Sequence, residues 1–146
     1  MNPENAVNAG GWEASSMRTY EMNRIYESLP EELSNIIINT IVVSGHGSTS
    51  GENNFTTTDK LYLLSGKEIL GEDSDDTASD VTRQLDYYSN LDSSAIKKLD
   101  GNATDWWLRS ANRRCTMGFR LVTTSGSLSF DCSYNFRGVS PAFRIG

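Results

Sequence analysis

The chain has two cysteines and one histidine in 146 residues. A structural zinc site needs about four ligands at close spacing. Cys115 and Cys132 are not in CxxC spacing, and His46 stands alone between Gly45 and Gly47. No metal site is read, and His46 is read as a solvated loop residue. Two cysteines allow one disulfide but make no framework. No apolar run approaches the ~20 residues that cross a bilayer, so no membrane span is expected. Residues 1–10 are polar and read as no signal peptide.

A second shortage is local. Residues 105–146 contain no Lys, Glu, Gln or His. They hold two Asp against six Arg, whereas residues 1–104 hold 17 Asp/Glu against 7 Lys/Arg. A basic end suggests nucleic acid. Six arginines spread through strands beside a strongly acidic body make a poor phosphate track, so no nucleic-acid partner is expected. Residues 72–80 carry five carboxylates without the order of a calcium loop, and read as a solvated acidic loop. No cofactor is expected.

What is present reads as short helices followed by strands. Met22, Ile25, Tyr26 and Leu29 fall on one helical face, with Ser15 or Ser16 as its cap. Ser28 to Glu31 and Ser65 to Glu68 have capping-box spacing. Residues 36–43 are β-branched and read as a strand, residues 44–58 as a long loop, and residues 60–64 as a strand. Val81, Leu85 and Tyr88 mark a helix, and residues 95–99 a last short one. From Trp106 onward, strand-like runs at 106–109, 119–123, 127–130 and 139–145 alternate with turn residues. This is an α+β pattern in a chain of about one domain's length, residues 1–146. Trp106, Trp107, Pro141 and Phe143 are expected to frame the core of the C-terminal sheet.

Between the Trp106-Trp107-Leu108-Arg109-Ser110 and Gly138-Val139-Ser140-Pro141-Ala142-Phe143-Arg144 signatures, residues 112–137 follow no hydrophobic period. Aromatic brackets around a free-form insert suggest a binding surface held on a scaffold. Phe130, Tyr134 and Phe136 with Arg114 and Arg137 have the composition of a binding hot spot.

Four stretches carry a resemblance. Trp12-Glu13-Ala14-Ser15-Ser16-Met17-Arg18, Asp59-Lys60-Leu61-Tyr62-Leu63-Leu64-Ser65 and the two signatures above are similar to motifs of a domain family of gut bacteria and their phages. That family has no assigned function. The C-terminal part also resembles the formylglycine-generating-enzyme branch of the C-type lectin fold, which hosts the variable proteins of diversity-generating retroelements. In those systems adenines of a template are miscopied, and Asn codons reach many residues but never Lys, Glu, Gln, Trp or Met.

The resemblance implies a C-type lectin-like fold and a non-enzymatic display protein that binds a protein or glycan on a cell surface. Its place would be a phage tail tip or a bacterial surface, with an upstream domain or an oligomer for display. It implies variable, ligand-binding positions at Arg114, Cys115, Leu121, Thr123, Ser129, Phe130, Asp131, Cys132, Tyr134, Phe136 and Arg137. Met117 lies outside that alphabet and is either fixed or counts against the reading. Two alternatives stay open. One is a fixed carbohydrate- or cell-wall-binding module, though the calcium-lectin motifs Glu-Pro-Asn, Gln-Pro-Asp and Trp-Asn-Asp are absent. The other is an oxidase like the formylglycine-generating enzymes, though neither cysteine sits in a matching motif and no nucleophile–base pair is evident.

Overall fold

The computed structural model describes residues 1–45, 54–71, 83–89 and 95–146. The architecture is α+β, with short helices and several small antiparallel sheets. Helix α1 (Gly11–Ala14) is followed by a π-helical turn (Met17–Glu21) that continues into α2 (Met22–Glu27), then by α3 (Glu31–Ser34). Strands β1 (Ile37–Ile38), β2 (Thr40–Ser44) and β3 (Phe55–Asp59) come next, then α4 (Gly66–Leu70) and α5 (Asp86–Ser89). The remainder is β4 (Lys97–Leu99), β5 (Asn102–Thr104), β6 (Trp106–Ala111), β7 (Gly118–Val122), β8 (Leu128–Cys132) and β9 (Arg144–Ile145). No helix among the described residues is long and apolar enough to cross a membrane.

Strand β6 is the centre. All six of its residues are buried, so both faces are covered and the usual in–out alternation is lost. It pairs with β7, which pairs with β8. Arg109 is buried in β6 and ties three segments together. Its guanidinium donates to the Val43 carbonyl (3.2 and 3.1 Å) and the Leu63 carbonyl (2.9 Å), and pairs with Glu68 of α4.

The C-terminal signature closes the fold at three separate places. Gly138 bridges β6, with Trp107 N–H donating to its carbonyl at 2.9 Å. A Cβ on Gly138 would sit 3.0 Å from the Asp105 carbonyl oxygen, a contact so tight that the backbone leading into β6 would have to give by a few tenths of an ångström. Ala142 exchanges backbone hydrogen bonds with Tyr62, and β9 pairs with β1.

The N-terminal signatures meet at one carboxylate. Asp59 is only 8% exposed. It accepts from Trp12 Nε1 (3.0 Å), Arg18 Nε (2.8 Å) and Thr57 Oγ1 (2.6 Å). Trp12 and Arg18 of one motif are therefore locked to Asp59 of the next, 41 to 47 residues on.

Several expectations hold. Met22 is buried, and Ile25, Tyr26 and Leu29 pack against the core. Ser65 and Glu68 form a reciprocal capping box, which satisfies two backbone donors at the start of α4. Trp106 and Trp107 are buried.

Others are corrected. A helix begins earlier than expected, at Gly11, and Ser15 closes it with its hydroxyl donating to the Trp12 carbonyl; that hydroxyl also accepts from Arg18 N–H at 3.2 Å, and the helical turn leading into α2 starts after Ser16, where a cap was expected. Ser28 ends α2 and donates to Ile25, so no box forms with Glu31. The strand expected at 60–64 lies earlier, at β3, where three threonines pair with β2. Leu61, Tyr62, Leu63 and Leu64 are buried coil, an apolar run produced by burial on all sides rather than by a ladder.

Residues 97–99 are strand β4, not helix. Asp100 (φ 49°) and Gly101 (φ 83°) both take the left-handed turn that a two-residue hairpin to β5 demands. Of residues 139–145 only Arg144–Ile145 is strand. Pro141 has no N–H for a ladder, and Phe143 is 39% exposed rather than core. Val81, residues 72–80 and residues 46–53 lie outside the described residues.

Candidate functional site

The free-form insert divides into a loop, a hairpin and a turn. Asn112 starts the loop, its side-chain oxygen accepting from the N–H groups of Arg114 (2.9 Å) and Cys115 (3.2 Å). Such a local bond replaces a backbone turn. Asn112 N–H then donates to the Gly118 carbonyl at 2.8 Å and closes the loop onto β7.

Asn8 is the clamp beneath it. This fully buried side chain donates to the carbonyls of Asn112, Cys115 and Gly118 at 2.7, 2.8 and 2.6 Å. Its backbone N–H donates to Thr116 O at 2.8 Å. The turn after β8 is held the same way. Ser133 N–H donates to Met117 O, Asn2 N–H donates to Ser133 O, and the Ser133 hydroxyl reaches Asn5 O. Nearly every anchor grips a backbone atom, so most of the side chains at 113–117 and 134–137 are left to point away, Asn135 and Arg137 turning back to Asp131.

They do so largely as expected. Arg114, Phe130, Tyr134, Phe136 and Arg137 are exposed, Phe136 to 88%. Cys115, Thr123, Ser129, Asp131 and Cys132 are half-buried. Leu121 is the correction: at 3% exposure it is part of the core, where most substitutions are rejected, and it cannot serve as a displayed position.

The remaining positions do not all share one face. In the β7–β8 ladder Gly118 faces Cys132 and Arg120 faces Phe130, while Phe119 faces Asp131 and Leu121 faces Ser129. Alternation therefore puts Phe130 and Cys132 on one side of β8 and Ser129 and Asp131 on the other. Thr123 follows β7 at the far end of the hairpin, ~16 Å along the strand from Gly118.

Around the near end the groups converge. Asp131 Oδ2 pairs with Arg137 Nη2 at 2.5 Å, and Asp131 Oδ1 accepts from Asn135 at 2.8 Å. Arg137 also lies 3.8 Å from Asp105. A hydrogen bond with Cys132 and the nearby thiol hold the Tyr134 phenol above its ordinary pKa. Tyr134, Phe136 and Arg137 form one wall of an apolar cleft of about 240 Å³ whose other walls include Met17, Ile25 and Trp107. A framework tryptophan thus lies at the bottom of a cleft rimmed by residues of the insert.

Sequence reasoning did not find Asn8, Asn2 or Ser133. No hydrophobic period points to them, because each acts through a polar group meeting a distant backbone.

Both cysteines are free. Replacing Cys115 and Cys132 together by Ser should shift the unfolding midpoint negligibly, and reduction of the native protein should do the same. A loss of about 2–4 kcal/mol on reduction, the usual worth of a disulfide, would show a bond that the fold requires.

Residues 2–146 match the model of a protein family described as a domain of unknown function (DUF6273). No curated protein and no solved structure matches the chain.

Proposed function

We propose that this chain, which belongs to the DUF6273 family, is a ligand-binding display protein. In this proposal its fold is C-type lectin-like, and the exposed side chains of residues 112–137 are diversified by a retroelement. It would act on a phage tail tip or a bacterial surface, attaching to a protein or glycan of a cell. It is not an enzyme in this reading.

The observation that carries the proposal is the way the insert is held. Asn8, Asn2 and Ser133 grip carbonyls and N–H groups, which every residue supplies, while the core positions Phe119, Leu121 and Val122 lie between the displayed ones. A surface gripped by its backbone tolerates replacement of its side chains. Exposed Tyr, Phe and Arg around an apolar cleft supply the rigid anchors that dominate binding energy.

Two measurements test it. Deep sequencing of the gene's 3′ end in a natural population should find changes in the codons for Arg114, Cys115, Phe130, Asp131, Cys132, Tyr134, Phe136 and Arg137, confined to the bases that stand opposite adenines of the template copy. Codons for Trp107, Asn112, Gly118, Leu121 and Ser133 should stay constant. Uniform codons throughout would favour the second reading, a fixed carbohydrate- or wall-binding module. An unbiased scatter that includes the core codons would also defeat the diversification reading.

In the protein, Asn8→Ala should cost about 1–3 kcal/mol, since it removes the donor to the buried Asn112 carbonyl and leaves the Cys115 and Gly118 carbonyls only their backbone N–H partners. Arg114→Ser and Tyr134→Ser should stay within about 0.5 kcal/mol of the parent. Equilibrium urea unfolding of the three variants checks this, and equal losses would mean that the displayed side chains are structural.

A further inference from the structure

A second cleft, of about 280 Å³, lies where α2 meets the start of β2 and the end of β3. It contains no residue of the 112–137 insert. Arg18, Asn23, Tyr26, Asn39, Thr58 and Lys60 line it, over Met22 and Leu61. The β2–β3 register places it at the Thr40↔Asp59 end of the hairpin, four pairs from Ser44↔Phe55.

The charges here are unevenly used. Asp59 is the one carboxylate of the lining, and both of its oxygens are already taken by Trp12, Thr57 and Arg18. Arg18 spends Nε on Asp59 and Nη1 on the Glu13 carbonyl at 3.3 Å. Its Nη2 has no protein acceptor among the described residues. Lys60 Nζ has no carboxylate partner among them either. It donates to Tyr26 Oη at 2.5 Å and lies 4.5 Å from the centre of the same ring. Two cations with donors to spare therefore face one cleft whose lining holds a single carboxylate, already paired. Beside them exposed Asn39, between β1 and β2, and exposed Thr58 of β3 offer an amide and a hydroxyl, and an aromatic edge and a small apolar floor complete the lining.

A carboxylate would bind the Lys60 ammonium and the outer nitrogen of Arg18, the charge-assisted pairing these groups favour. Neighbouring hydroxyls of the same molecule would meet Asn39, Asn23 and Thr58. The volume is near the lower end for a small-molecule site, which suits one sugar ring and not an extended chain. We propose that this cleft is a fixed binding site for the carboxylated sugar residue of an acidic glycan. The site belongs to the scaffold and does not depend on diversification of the insert, so this proposal and the previous one can fail separately.

The test uses glucuronic acid, glucose and acetate as probes, titrated into the full chain labelled for amide NMR. Glucuronic acid should shift the signals of Thr19, Asn23, Asn39, Thr58 and Lys60 in a saturable way. Acetate should shift the same set more weakly, and glucose should leave it unmoved. Lys60→Gln, an exposed change away from the Asp59 lock, should weaken glucuronic acid binding at least tenfold while the rest of the spectrum stays folded. Asn39→Ala should weaken glucuronic acid but leave acetate unchanged. An equal response to glucose, binding undiminished by Lys60→Gln, shifts confined to other surfaces, or no saturation with glucuronic acid would each overturn the proposal.

Discussion

Arg109→Ala should remove a large share of the stability of the domain. The guanidinium is 1% exposed and its partner Glu68 12%, so truncation leaves a nearly buried carboxylate without its cation. It also leaves the Val43 and Leu63 carbonyls without their donors. Breaking one side of a buried pair costs about 3–5 kcal/mol, against a total of about 5–15 kcal/mol for a typical domain. Arg109→Lys should be intermediate. It keeps the charge but cannot fork toward two carbonyls and a carboxylate at once. Urea unfolding followed by tryptophan fluorescence measures both variants. A loss below about 1 kcal/mol for Arg109→Ala would mean that β2, α4 and the buried segment at 61–65 are held together by apolar packing and backbone hydrogen bonds without help from the guanidinium.

Trp107→Ala should cost a similar amount for a different reason. Its side chain is 1% exposed, and truncating a buried aromatic leaves a cavity worth about 3–5 kcal/mol. The same change should open the bottom of the apolar cleft, because Trp107 lines it together with Tyr134 and Phe136. Phe136→Ala, at the rim and 88% exposed, should change stability by no more than about 0.5 kcal/mol. The contrast between two aromatics of one cleft separates framework from display. If Phe136→Ala proves as costly as Trp107→Ala, the rim is part of the core and cannot be a freely varied surface.

Much of the scaffold was legible before any coordinates. The tryptophan pair reads as core because two large aromatics in a strand-like run have few other places to go. The Ser65–Glu68 box reads directly, since both of its hydrogen bonds are local. The exposure of Phe130, Tyr134 and Phe136 was expected from the binding role that the resemblance implies, not from any period, since Phe119 and Val122 of the same insert are buried. Leu121 was misplaced for the converse reason. It sits in β7, where every residue except Arg120 is buried, and an alphabet of permitted residues says nothing about which side of a strand is covered. The β4–β5 hairpin stands where a short helix is expected at 95–99, although Asp100-Gly101 announces a turn.

The sequence by itself determined the α+β order, the absence of a long apolar span, the buried tryptophans of β6 and the local cap of α4. These depend on side-chain chemistry over a few residues, where spacing is geometry. Only the tertiary structure decided that Asn8 grips three carbonyls more than a hundred residues away and that Asp59 locks Trp12 and Arg18. It likewise decided that Arg109 is a buried clamp instead of a surface cation, and that Lys60 and Arg18 share a cleft. Each of these is a polar group meeting a distant backbone or charge. A hydrogen bond depends on distance in space and leaves no period in the chain.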